Sequence, residues 1–159
     1  MPAIAMPVDV QLVADSDLLP DVCDIERWVV AVLGGREREV CVRVVGDGEG
    51  RRLNAQYRDI DEATNVLSFV ADGLPDGETL LGDLVICAPV VEREAREQNK
   101  RVEHHYAHMV VHGVLHLLGY DHQFDGEAKE MENKERKVLV GLGISDPYSD
   151  RGTSSGKNR

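Results

Sequence analysis

Aromatic residues are scarce: one Trp, four Tyr and two Phe in 159 residues. A core must then be built mainly from Val, Leu, Ile and Ala, and few side chains are left to stack on exposed bases. No apolar run approaches the roughly 20 residues that a membrane helix needs, so no membrane association is expected. No basic segment precedes the first apolar residues of "MPAIAMPVDVQLVADSD", which argues against a secretory signal; Met6 is an alternative start. CxxC is absent, and Cys23, Cys41 and Cys87 are odd in number and widely spaced, each in an apolar stretch. That usage predicts buried, reduced thiols and, by elimination, a cytoplasmic protein. Positive charge is also short: 18 Lys and Arg against 29 Asp and Glu leave a net charge of −11. A free-standing basic nucleic-acid binder has the opposite balance.

What is present is a globular composition, 42% hydrophobic and 30% charged, in a chain long enough for one cored domain. The expected domain covers residues 1–150, followed by a flexible polar tail, 151–159. Alternating apolar positions predict strands at "VDVQLV" and "REVCVRVVG", with "TNVLSF" and "LGDLVICA" as two more. Pro20 is expected to open an amphipathic helix that runs to Leu33 and ends at Gly34-Gly35. Further helices are expected over "DGEGRRLNAQYR", "PVVEREAREQNK", Val102 to Leu118 and "EAKEMENKERKVLVGL". Strands and helices mix without regular βαβ alternation. The expected class is α+β, a small mixed sheet of about four strands packed with about five helices.

The stretch "HGVLHLLGYDH" carries the chemistry. Residues four apart on a helix are rotated by about 40° and rise about 6 Å, so His112 and His116 share a face and can address one ion. On a continuing helix His122 would lie about 15 Å beyond His112, far outside a metal–nitrogen bond of about 2 Å. The chain must turn back, and Gly119 suits the left-handed residue just past a helix end. His112, His116 and His122 thus form a candidate zinc site; other first-row ions also suit three histidines. Three protein ligands leave one position for water, whose pKa such an ion lowers from about 15.7 to about 7. His104 falls too far along the helix to reach the ion. His108 either lines the cleft or packs, and Asp121 either orients a ligand histidine or caps the turn.

The offsets match the metzincin protease pattern HExxHxxGxxH except that Gly113 replaces the glutamate that serves as proton acceptor. Glycine cannot do this, which argues against peptide hydrolysis by that route. The stretch resembles instead the YbeY endoribonucleases, bacterial rRNA maturation factors. The resemblance covers "LNAQYRDIDEATNVLSF", "LLGDLVICAPVVEREAREQ" and "HYAHMVVHGVLHLLGYDH", in the family's order, and extends to the closing "GLGISDPY". It implies a metal-dependent endoribonuclease specific for single strands. Its implied tasks are 16S rRNA 3′-end maturation and quality control of small ribosomal subunits, with that subunit and its proteins as partners. It further implies zinc at His112, His116 and His122, and a catalytic set of Arg58, His112 and His116, with Arg58 also binding substrate. One departure is Val70, where the family usually has Pro after "SF", which bears on local loop shape rather than on chemistry.

Phosphodiester cleavage builds negative charge on the phosphate oxygens, and a guanidinium that forks onto two of them is a suitable clamp. On sequence alone, though, Arg58 is one surface arginine among several. Residues 34–58 hold six arginines against four acids, which fits either a local positive patch or a mixed solvated surface. Tyr57, Tyr106 and Tyr120 are the candidate stacking platforms, each also suited to a structural role. Two other functions stay open: a zinc-containing ribosome-assembly factor without catalysis, and a zinc peptidase or amidohydrolase with another base.

Overall fold

Four strands and five helices form in the computed structural model, which describes residues 8–58, 65–71, 79–120 and 125–144, without the side chains of Tyr57, Arg58, Asp125 and Glu127. In chain order they are β1 (Val8–Leu12), α1 (Val22–Leu33), β2 (Glu39–Val45), α2 (Asp47–Arg58), β3 (Val66–Val70), β4 (Leu80–Cys87), α3 (Ala88–Glu97), α4 (Val102–Leu117) and α5 (Asp125–Gly141). The strands pair in the order β1-β2-β4-β3. The first two pairings are parallel and β3 runs antiparallel to β4, which makes an edge of β3. The fold is α+β, as expected. Its first three elements nevertheless form one βαβ unit, because β1 and β2 are parallel neighbours joined through α1.

Alternation in β2 decides which helices cover which face. Val40, Val42 and Val44 are fully buried, whereas Cys41 and Arg43 are half-exposed. The valine face joins the main core with Ile25, Trp28, Val29, Val32 and Leu33 of α1 and with the buried side of α4. Each such side chain is worth about 1.5–3 kcal/mol of burial. On the opposite face Val45, Leu67 and Val85 form a smaller cluster under Leu53 of α2. Two faces of one sheet thus carry α4 and α2 respectively.

Among the described residues, no helix is long and apolar enough to cross a membrane. The expectation of three buried cysteines holds only for Cys87; Cys23 is exposed and Cys41 half-exposed, all three with free thiols. An apolar neighbourhood in sequence does not fix burial: Cys23 lies in the first turn of α1, and Cys41 points to the less covered sheet face. Burial, Asp83 and Asp9 together push the Cys41 thiol up to about 11, so it stays protonated and unreactive at neutral pH.

Candidate metal centre

Helix α4 buries Tyr106, Val110, Gly113, Val114 and Leu117, and it contacts α1, α3, α5, β3 and β4. His108, His112 and His116 follow one another at four-residue intervals along the half-open margin of that buried surface. The His112 and His116 rings stand edge to face, their centres 4.7 Å apart, whereas His108 and His112 are 6.3 Å apart. The pair expected to address one ion is therefore brought together.

A carboxylate that sequence reasoning missed lies behind them. Glu135 of α5 is 1% exposed, and its Oε2 accepts from His112 Nδ1 at 2.8 Å and from His108 Nε2 at 3.1 Å. When Nδ1–H donates, the lone pair of an imidazole lies on Nε2, the nitrogen that would face a metal. Burial depresses the His108 pKa, offset in part by the Glu135 bond. A neutral His108 that donates from Nε2 is the consistent state. The signal for Glu135 is in the sequence: Met131, Glu135 and Leu139 recur at helical spacing and are all buried, so a charge occupies an apolar stripe.

Gly113 has a physical reason beyond chemistry. A Cβ there would fall 2.6 Å from Leu84 Cδ2 and 3.1 Å from Cδ1, and Leu84 is fully buried in β4. Ser68 Oγ of β3 also reaches the Gly113 carbonyl at 3.4 Å. Residue 113 faces the sheet at close approach, so a side chain where the protease pattern has its glutamate would force Leu84 to shift. At the helix end Gly119 takes φ 105°, its N–H reaches the His116 carbonyl at 3.0 Å, and the Tyr120 N–H reaches the Leu115 carbonyl at 3.0 Å. That paired bonding is a Schellman turn, which ends α4 at the glycine as expected.

Other candidate residues fall elsewhere. His122 and Asp121 lie outside the described residues, as do the Arg58 side chain and the tail 151–159. Among the described residues no group of three His, Cys, Asp or Glu is placed to hold a metal. His112 and His116 fit two of a zinc site's ligands by donor type and by spacing, with His112 Nδ1 bonded to Glu135. The backbone of Arg58 closes α2, a helix on the sheet face opposite α4. His104 is half-buried on α4. Tyr106 is wholly buried and cannot stack on a base; Tyr120 packs against the core. Of the candidate positive patch, Arg43 is bound to Glu49 at 2.7 Å, while Arg36 and Arg38 bond backbone carbonyls of Leu33 and Thr79. Arg51 and Arg52 are exposed.

A buried histidine organises the approach to β3. His105 is 2% exposed, donates from Nε2 to Glu94 Oε1 at 2.9 Å, and accepts at Nδ1 from Lys100 at 3.1 Å. Bonds from His105 hold the Glu94 carboxyl below its ordinary range, helped by Asn65, whose Nδ2 lies 3.1 Å away. Asn65 Oδ1 in turn accepts the Val66 N–H at 2.7 Å. This chain of bonds ties α3 and the start of α4 to the first residue of the edge strand.

Comparison with known proteins adds identity to this geometry. A family model described as Endoribonuclease YbeY matches residues 18–143. A curated protein named Endoribonuclease YbeY from Stenotrophomonas maltophilia is 58% identical over 138 residues, 82% of this chain and 86% of that relative. One of the same name from Pseudomonas entomophila is 53% identical over 155 residues, 94% of this chain and 98% of its own. A protein from Thermotoga maritima, solved in solution, superposes with a TM-score of 0.50 at 23% identity, covering 94% of this chain and 99% of that one. At that identity it speaks for the fold alone.

Proposed function

The chain belongs to the endoribonuclease YbeY family, and from that premise we propose that it is a metal-dependent endoribonuclease with its reaction centre on the His112–His116 face of α4. Its substrate in this reading is single-stranded RNA. Its task is 16S rRNA 3′-end maturation and ribosome quality control in the cytoplasm, with the small ribosomal subunit and its proteins as partners. His112, His116 and His122 would hold one zinc ion or another first-row ion. When bound, such an ion supplies Lewis acidity and makes water acidic enough to lose its proton near neutral pH.

The observation that carries this reading is the His112–His116 pair at 4.7 Å, with Nδ1 of His112 already engaged by the buried Glu135. Arg58 is the proposed phosphate clamp: a guanidinium keeps its charge at any working pH and meets two phosphate oxygens as negative charge develops. A peptidase of that type is disfavoured because residue 113 is a glycine turned onto buried Leu84, where no base is present.

The test pairs His116→Ala and Arg58→Ala with assays on single-stranded RNA and on casein. His116→Ala should lose metal and RNA cleavage together. Arg58→Ala should retain metal and lose about 10²–10³-fold in kcat, the scale of removing one preorganised donor. Undiminished cleavage by Arg58→Ala at equal metal content removes Arg58 from the mechanism. A His116→Ala protein that unfolds, beside a wild type without metal-dependent cleavage, favours a non-catalytic assembly factor instead.

A further inference from the structure

Glu135 is the most deeply buried acid among the described residues, 1% exposed between Met131 and Leu139 on the inward stripe of α5. Stability alone does not call for a carboxylate there. A buried ion loses its hydration, and a well-packed apolar residue of similar volume commonly serves as well or better. Two of its bonds fall on one oxygen: Oε2 takes both His112 Nδ1 and His108 Nε2. Those two histidines and His116 form a regular four-residue series, so spacing alone gives His108 and His116 equal claim to be the neighbour that shares an ion with His112. Glu135 breaks that symmetry.

We propose that Glu135 is a positioning residue that fixes His112 as the Nδ1–H tautomer, which puts the ring's lone pair on Nε2, and holds His108 as a brace rather than a ligand. The inference rests on the metal reading of the preceding section for its purpose, but the tautomer it assigns belongs to the metal-free chain. His108 Nε2, the nitrogen farther from its own backbone, is turned onto Glu135 rather than toward the pair. The wider 6.3 Å separation of His108 and His112, against 4.7 Å for His112 and His116, agrees with that division. A carboxylate that orients a ligand imidazole also raises its basicity, and removal of such partners commonly weakens metal binding by about 10–100-fold.

Long-range proton–nitrogen NMR of the metal-free wild type reads the tautomer directly. The expected spectrum shows His112 protonated at Nδ1; protonation at Nε2 overturns the proposal with no variant required. Zinc affinity, measured by competition with a chromophoric chelator, should fall about 10–100-fold in Glu135→Leu, which suits the apolar stripe, with His112 passing to a tautomer mixture. Glu135→Gln retains an acceptor oxygen and should recover both properties in part. Unchanged affinity and tautomer in Glu135→Leu would assign the carboxylate a packing role only. Should that variant fail to fold, the wild-type spectrum and the Glu135→Gln affinity decide, and full wild-type affinity in Glu135→Gln with the tautomer lost counts against positioning. A wild type that takes up no zinc would sink the metal reading, while the NMR result still judges the hold of Glu135 on His112.

Discussion

At the scale of single residues, one face of α4 divides, in the proposed reading, between metal chemistry and support. His112 and His116 form the close pair, and His108 answers to Glu135. His108→Ala is therefore expected to bind one zinc ion with affinity lowered by less than about tenfold. His116→Ala, which removes a ligand, should lose far more. Chelator competition on the two purified variants measures this; equal losses would make His108 a ligand. The pairing of His112 with His116 was legible because helical periodicity alone sets it. The role of Glu135 was not, because its partners lie 23 and 27 residues earlier in the chain, and no local pattern encodes so distant a contact. Its one local trace is a charge in the Met131–Leu139 stripe. His105 was hidden in the same way, since its acid, Glu94, sits on the preceding helix.

At the scale of elements, the seating of α4 on the sheet turns on one missing side chain. Gly113→Ala would gain about 1 kcal/mol of helix propensity and lose about 1–3 kcal/mol by overpacking against Leu84. Overpacking outweighs propensity, and a net loss of up to about 2 kcal/mol is expected in urea unfolding at constant m. The loss should shrink in a Leu84→Val background, where the facing side chain is shorter by one carbon; a loss of equal size in both backgrounds would place its cause elsewhere. Element order and bounds followed closely from alternation and capping: α2 was expected over residues 47–58 and occupies them. What sequence could not assign was the face each helix covers. Arg58 closes α2, and α2 and α4 sit on opposite sides of the sheet, because pairing order and register, not sequence spacing, decide that placement.

At the scale of the whole molecule, an acidic chain with a net charge of −11 acts on a polyanion in this account. Long-range attraction therefore contributes little to capture, and at least three of the six arginines in residues 34–58 are already engaged within the fold. In the proposed reading, local metal and Arg58 chemistry, with help from a ribosomal partner, does what net charge does in basic nucleases. The central claim is that cleavage depends on metal at the histidine face. Its most direct measurement is the cleavage rate of a single-stranded RNA by purified protein, before chelation, after removal of metal, and after one equivalent of zinc is returned, with bound metal quantified at each stage. The account predicts about one ion per chain, loss of cleavage on its removal and recovery on its return, with the fold retained throughout. Undiminished cleavage by folded, metal-free protein would contradict it.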